Sequence, residues 1–255
     1  IFQPQQPFGA IFSTMAFGCN LVGTGSITIR NTLENLKNPG EFYFDRGEKT
    51  LYYYPPEGAD INEMEFVIPE SEGFMRINGE STSERVENIE FSGIQFSYDD
   101  YNLEVIDDPE NGLHAVGYGG VQSLGLYRKF ADHGNWHHSW YNIVDTPYAS
   151  VDVQNARGIV FEGNRFKNIS SSCGVSYTND VVDSTIQGNA FINVAGNATN
   201  IGHPQHVFIG EDAKSDNQRF PVGVEGVCKN DQVVYNLVRN VSSEFYQCDA
   251  IMAFF

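Results

Sequence analysis

The sequence predicts an all-β protein, a right-handed parallel β-helix, in which short strands stack coil on coil into a solenoid. Three observations predict it. A six-residue pattern recurs at a solenoid period, apolar residues alternate over short strands between Gly and Asn turns, and no long stretch carries the i, i+3, i+4 apolar stripe of a helix. Such strands cannot bury an apolar face alone, so stacking supplies the core.

The repeat has the form Asn-x-[Phe/Val]-x-Asn-[Ile/Val]. The first two copies begin about 25 residues apart and the third about 47 residues later, close to one and two solenoid periods. Asn tolerates the left-handed backbone region of turns, and its amide can hydrogen-bond to the same amide one coil away. We therefore expect two parallel Asn ladders, one of Asn164, Asn189 and Asn236 and one of Asn168, Asn193 and Asn240.

Two other folds compete with this interpretation. Asn-rich turns also recur in β-sandwiches, but the identical offsets in the three copies disfavour a sandwich. A leucine-rich repeat would need Leu at this period, and the chain lacks it.

The order of the elements follows from local patterns. Residues 1–35 match no recognisable pattern and are predicted to be an N-terminal extension, with the β-helix domain in residues 36–255. Phe42 and Phe44 alternate, a polar turn follows, and a Tyr-rich strand returns, which predicts a β-hairpin.

Residues 113–148 are predicted to be a long loop excursion of the kind that builds binding clefts. The chain starts at Ile1 and ends in five apolar residues, so we expect a partial chain, truncated at its C-terminal end.

Composition restricts the function. With 33 acidic and 15 basic residues, the chain has a formal net charge of −18, which disfavours nucleic acid and membrane surfaces and suits neutral sugars or cations. No apolar run approaches the roughly 18 residues of a membrane span, so no membrane insertion is predicted. The four cysteines, Cys19, Cys173, Cys228 and Cys248, are compatible with a disulfide and an oxidising compartment. Their spacing matches no zinc signature, so no metal site built from thiolates is predicted. No cofactor is predicted, and a structural calcium stays open.

Two segments carry a resemblance to a known group. Residues 38–46 with residues 50–55, and the Asn-bearing coils from Gly158 onward, resemble right-handed parallel β-helix proteins of the pectate-lyase-like superfamily, nearest to glycoside hydrolase family 141 and its relatives. The resemblance covers residues 36–255. It implies glycoside cleavage, in which one carboxyl group protonates the leaving oxygen and a second acts as nucleophile or activates water. The chain departs from these relatives at Ile201-Gly-His203-Pro, where they show a small or acidic residue after the Gly.

Acidic residues that border predicted sheet strands are the candidates for this chemistry. The predicted catalytic residues are Asp180, Glu211 and Asp249. A solvated surface acid is the competing interpretation of each, because an acidic chain scatters carboxylates widely.

The predicted sugar-binding residues are largely aromatic. Aromatic faces stack on pyranose C–H groups, and neighbouring polar tips fix the hydroxyls. The predicted set is Trp136, His137, Trp140, Tyr148 and His203. A hydrophobic cluster under a loop is the alternative. The loop from His203 to Gly226 is open to three interpretations: a cation site, with a structural calcium as the ion, a sugar-binding loop, or decoration of a coil.

Three Asn-x-Ser/Thr sequons occur, at Asn168, Asn197 and Asn240. Because Asn168 and Asn240 share a ladder position that we expect to point inward, Asn197 is the predicted glycan site of a secreted eukaryotic protein.

These observations lead to two hypotheses. The first is a secreted, extracellular β-helix domain that binds and hydrolyses a complex polysaccharide. The alternative is a non-catalytic glycosylated subunit that self-associates through its β-helix ends into a filament or cell-surface assembly.

Overall fold

The structure is a computed structural model. It describes residues 32–45, 47–100, 149–202, 225–244 and 248–253, and the backbone of residues 127–128 and 144–145. These residues fall into two compact units, one ending at Ile68 and one starting at Pro69. The predicted division into residues 1–35 and 36–255 stays a prediction.

The smaller unit contains a β-hairpin. Strand β1 (Phe42–Asp45) pairs antiparallel with β2 (Thr50–Tyr53). The Asp45 carboxylate accepts hydrogen bonds from the N–H groups of Gly47 and Glu48 at 2.9 and 3.0 Å, which stabilises the turn. The hairpin predicted from the alternating Phe and Tyr residues is therefore confirmed. Short 3₁₀ turns occupy Leu33–Asn35 and Ile61–Glu63.

The larger unit is a parallel β-helix, which confirms the predicted fold class. Three parallel sheets run along it, and no α-helix occurs among the described residues. Sheet A comprises β3 (Met75–Asn78), β4 (Val86–Glu87), β9 (Val151–Arg157), β12 (Cys173–Val182), β15 (Asn197–Ile201) and β18 (Ile251–Ala253). Sheet B comprises β5 (Glu90–Ser92), β10 (Val160–Glu162), β13 (Thr185–Gln187) and β16 (Gln232–Val234). Sheet C comprises β6 (Gln95–Ser97), β11 (Arg165–Ile169), β14 (Ala190–Val194) and β17 (Leu237–Val241). The remaining strands, β7 (Tyr127–Arg128) and β8 (Val144–Asp145), pair antiparallel with each other.

The core consists of equivalent side chains stacked from coil to coil. In sheet C the ring of Phe166 lies 4.7 Å from that of Phe96 and 4.8 Å from that of Phe191, nearly parallel to both. In sheet B, Phe91 stacks on Phe161 at 4.9 Å. In-register strand pairing places these rings above one another, and their burial supplies the main stabilisation.

The inner Asn ladder closes the corner between sheets B and C. Asn164 and Asn189 are 2% and 1% exposed. The Oδ1 atom of Asn189 accepts the Asn164 N–H at 2.8 Å, and that of Asn236 accepts the Asn189 N–H at 2.8 Å. The amide nitrogens of Asn189 and Asn236 donate to the carbonyl oxygens of Phe161 and Ile186. The Asn side chains therefore bond mainly to main-chain N–H and C=O groups at this corner. These buried main-chain groups need hydrogen-bond partners, and the asparagines provide them.

The second ladder faces outward, contrary to expectation. Asn168, Asn193 and Asn240 have φ angles of 57°, 56° and 53°. Their amides bond in series, Asn193 to Asn168 at 3.0 Å and Asn240 to Asn193 at 2.8 Å. The left-handed backbone turns the chain at this corner and leaves each side chain at the surface, so the inward orientation predicted for this ladder was wrong.

The described residues bear on the predicted disulfide and on the prediction of no membrane insertion. Cys173, Cys228 and Cys248 are thiols, so the predicted disulfide does not form between them, and Cys19 lies outside the described residues. Within the described part of the chain, no helix has the length and apolar character needed to cross a membrane.

Candidate active site

The outer face of sheet A carries a row of polar side chains in register. Arg76, Asp152, Ser176 and Asn200 lie level with one another on β3, β9, β12 and β15. Asp152 stands between two core valines, so alternation along the strand directs it away from the core. Asp152, Ser176 and Asn200 are nevertheless only 6%, 4% and 5% exposed. Buried polar groups on an outer face are informative, because an ordinary surface leaves such groups in water.

Asp152 has the chemistry of a proton donor. Burial raises the pKa of this carboxyl group from 3.8 to about 7, against the opposing effects of the Ala149 backbone N–H and the Arg76 guanidinium. Its Oδ2 atom has no hydrogen-bond partner. A carboxyl group that is protonated in part near neutral pH, with one oxygen uncommitted, is suited to general acid catalysis.

A recess with a volume of about 220 Å³ adjoins this row and is lined by residues 71–76 and Ala149. Arg76 and Ala149 also act on the Asp152 carboxyl group, so the recess and the carboxyl share two neighbours. Glu72 is the carboxylic acid among the lining residues, Asp152 lies beside the lining and not in it, and Phe74, 36% exposed, brings an aromatic ring. The recess and the neighbouring Asp152 together supply the group types that a sugar-cleaving site requires.

A buried carboxyl group is bonded to two serines that adjoin the recess lining. Asp99 is 0% exposed, and its Oδ2 atom accepts hydrogen bonds from the hydroxyls of Ser150 and Ser171. Its Oδ1 atom accepts the Ser170 N–H at 2.6 Å. Three donors thus satisfy a group whose burial would otherwise be costly.

Asp180, one of the predicted catalytic residues, belongs to a clamp. Arg85 donates from Nε to Oδ2 at 2.6 Å and from Nη2 to Oδ1 at 2.9 Å. This bidentate pair raises the pKa of Arg85. Because both carboxylate oxygens are engaged, Asp180 is suited to holding β12 against the segment before β4 and poorly suited to moving protons.

The other predicted acids do not complete a pair with Asp180. Asp249 is exposed, and its N–H donates to Asn197 Oδ1 at 2.7 Å at the start of sheet A strands. Asp180 stands near the far end of β12, on the order of 20 Å further along at the usual rise per residue. Hydrolysis requires carboxyl groups roughly 5–10 Å apart, so the structure does not bring these two together. Glu211 lies outside the described residues.

The predicted sugar platform is outside the described ranges. This applies to Trp136, His137, Trp140, Tyr148 and His203, whose roles stay predictions. Most of the loop between His203 and Gly226 is outside them as well. In the part of the chain that the structure describes, no group of three or more His, Cys, Asp or Glu side chains converges as metal ligands would.

Asn197 does not fit its predicted role as the glycan site. It is 0% exposed, its Nδ2 donates to Asn200 Oδ1 at 2.6 Å, and its Oδ1 accepts the Asp249 N–H. The folded protein leaves no space for a glycan there, so this prediction was wrong. The sequons at Asn168 and Asn240 lie on the outward ladder instead.

Sequence reasoning missed Asp152. The signal was a single acidic residue between Val151 and Val153, where alternation predicts an outward side chain. An outward acid is ordinarily solvated, and only the fold shows that this one is buried beside a recess.

Comparisons with known proteins place the fold. No family model and no curated protein matches the chain. The chain is similar to a solved structure described as "Glycoside hydrolase", with 25% identity and a TM-score of 0.66 over 88% of this chain. The match covers 36% of that protein, so this chain spans well under half its length. The larger unit therefore has the parallel β-helix architecture with a likeness to a glycoside hydrolase, whereas membership of family 141 stays a prediction.

Proposed function

We propose that this chain is part of an extracellular protein that binds and hydrolyses a complex polysaccharide at the recess beside sheet A. The observation that carries the proposal is Asp152, a buried carboxyl group with a raised pKa and an uncommitted oxygen, level with Arg76, Ser176 and Asn200. The structural likeness to a glycoside hydrolase supports it.

Each residue of the site has a role in this proposal. Asp152 is the general acid that protonates the leaving oxygen of the scissile bond. Glu72, which lines the recess, is the second carboxyl group and acts as nucleophile or as base toward water. Phe74 stacks on a sugar ring, and Ser176 and Asn200 bind hydroxyl groups. The reaction requires no cofactor, and the net charge of −18 favours a neutral glycan.

The test compares the intact protein with its Asp152→Asn variant. Release of reducing sugars would be measured over a panel of plant and algal cell-wall polysaccharides. Loss of the general acid should lower the rate by roughly 10²- to 10⁴-fold. Glu90→Gln is the matched control, because Glu90 is an exposed acid on β5 of sheet B. An Asp152→Asn variant as active as the control would overturn the proposal.

A second candidate function has one observation in its favour. Val233, Val238 and Val241 are only partly buried, whereas Ile186, Phe191 and Val194, one coil earlier in register, are 0% exposed. If another copy of the chain covers this apolar face, end-to-end self-association of a non-catalytic subunit into a filament follows. Fibres in electron micrographs, together with no sugar release by the intact protein, would favour this function over hydrolysis.

A further inference from the structure

Asp99 joins separate segments of the chain at one buried point. It follows β6 in sequence and receives its three hydrogen bonds from residues that precede β9 and β12. A carboxyl group that is 0% exposed and bonded to serine hydroxyls and a backbone N–H holds the positions of all its donors. Its position therefore couples the segment after β6 to the segments before β9 and β12.

The serine partners of Asp99 support the recess lining. The carbonyl oxygen of Ser150 accepts the N–H groups of Phe74 and Met75 at 2.7 and 3.2 Å. The hydroxyl oxygen of Ser171 lies 3.3 Å from the carbonyl oxygen of Glu72. Both serines thus bind Asp99 with their hydroxyls and contact backbone of the segment that lines the recess.

Ser150 also connects Asp99 to the proton donor. It follows Ala149, whose backbone N–H bonds to the Asp152 carboxyl group. Because that N–H lowers the pKa of Asp152 against the effect of burial, any displacement of residues 149–150 should raise the pKa further. Asp99 therefore acts on Asp152 through one hydroxyl and a short length of backbone.

We propose that Asp99 is a positioning residue of this site, which holds the Ala149 N–H on Asp152 and holds the recess lining through Ser150 and Ser171. The proposal rests on the proposed function and deepens it. Asp99 itself is 0% exposed and acts without touching the substrate.

Two substitutions at Asp99 test whether its hydrogen bonds position the site: one removes these bonds, and the other keeps the side-chain shape and allows equivalent bonds. Asp99→Ala removes all three acceptor interactions. Asp99→Asn keeps the shape, because its amide oxygen can accept the Ser170 N–H while its NH₂ group donates to the two serine hydroxyls, which can accept. The alanine variant should show the defect, and the asparagine variant should largely restore wild-type behaviour.

Asp231→Ala is the matched control. Asp231 accepts the Ser184 N–H at 2.9 Å on its Oδ1 atom, so it is also a partly buried carboxyl group bonded to a turn N–H. It precedes β16 of sheet B and does not line the recess. Its removal should lower stability without altering Asp152.

The first measurement is the titration of Asp152 by carbon-13 NMR of labelled aspartate carboxyl groups, with its signal assigned from Asp152→Asn. The wild-type midpoint should lie near pH 7, because burial raises the pKa of Asp152 to about 7. Asp99→Ala should raise it by on the order of one pH unit, while Asp99→Asn and Asp231→Ala should leave it near the wild-type position. An unchanged midpoint in folded Asp99→Ala overturns the proposal.

The second measurement is the rate of polysaccharide cleavage as a function of pH. Asp99→Ala should lower kcat on the order of 10²-fold, with a smaller effect on KM, and shift the basic limb of the profile to higher pH. Asp231→Ala should change neither kcat nor the position of the basic limb. If Asp152→Asn keeps full activity, the proposed function fails, whereas the NMR midpoint still decides the role of Asp99.

Ser150→Ala covers the case in which Asp99→Ala does not fold. It removes one link and leaves Asp99 with its bonds from Ser170 and Ser171. Its Asp152 midpoint should also rise, and a folded Ser150→Ala variant that titrates like the wild type contradicts the proposal.

Discussion

Sheets B and C repeat themselves from coil to coil, and sheet A does not. In sheets B and C, phenylalanines and asparagines recur at equivalent positions with regular pairing. In sheet A, the register between β9 and β12 shifts between Tyr177 and Asn179. Sheet A also holds the buried polar row around Asp152. The regular sheets form the scaffold, and the irregular sheet carries the candidate chemistry.

The largest effect on stability should come from the stacked rings of sheet C. Phe166→Ala should lower the free energy of unfolding by roughly 3–5 kcal/mol, because it leaves a cavity between Phe96 and Phe191. Phe74→Ala beside sheet A should cost only about 1–2 kcal/mol, since that ring is already partly in water. Urea unfolding of both variants tests the contrast, and a greater loss in Phe74→Ala would contradict it.

An intermediate effect should appear in the pH dependence of stability. The pKa of Asp152 is about 7 in the folded protein and 3.8 ordinarily, so the folded state holds this proton more tightly. The contribution of Asp152 to stability is complete below about pH 4, falls by up to about 1.4 kcal/mol per pH unit, and is lost above about pH 7. The free energy of unfolding should therefore decline less between pH 5 and pH 7.5 in Asp152→Asn than in the wild type. Equal dependence of the free energy of unfolding on pH in the two proteins would contradict the raised pKa of Asp152.

The smallest contrast separates the two Asn ladders. Asn189→Ala leaves the buried Asn164 N–H without its acceptor and removes one donor from the Phe161 carbonyl oxygen, at a cost of about 1–3 kcal/mol. Asn193→Ala removes exposed amide bonds and should cost under about 1 kcal/mol. Chemical denaturation of the pair would reveal whether the inner ladder is the structural one, and equal losses would argue that both ladders contribute alike.

The sequence predicted the scaffold well because the scaffold is repetitive. The common offsets of Asn164, Asn189 and Asn236 indicate the coil period, and the alternation of Phe42 and Phe44 indicates the first strand of the hairpin. The direction of the second ladder was missed because its residues share the same offsets, and only the backbone conformation turns their side chains outward.

The candidate site was far less predictable. Asp180 looked accessible after a strand, and its partner Arg85 lies 95 residues away in sequence, so the clamp could not be inferred locally. The raised pKa of Asp152 depends on its burial and on the opposing effect of Arg76, which only the fold brings beside it. Asn197 was predicted to carry a glycan because it lies outside the ladder positions, but it begins a strand and is buried.

The inner ladder gives the solenoid a direction of assembly. The N–H of Ile94 is accepted by Asn164 of the next coil, that of Asn164 by Asn189, and that of Asn189 by Asn236. The main-chain N–H of each turn is therefore accepted by an asparagine of the next coil, which is synthesised later. A nascent coil has an unmet donor until its successor emerges from the ribosome, so folding from the N-terminal side should advance one rung behind the growing chain.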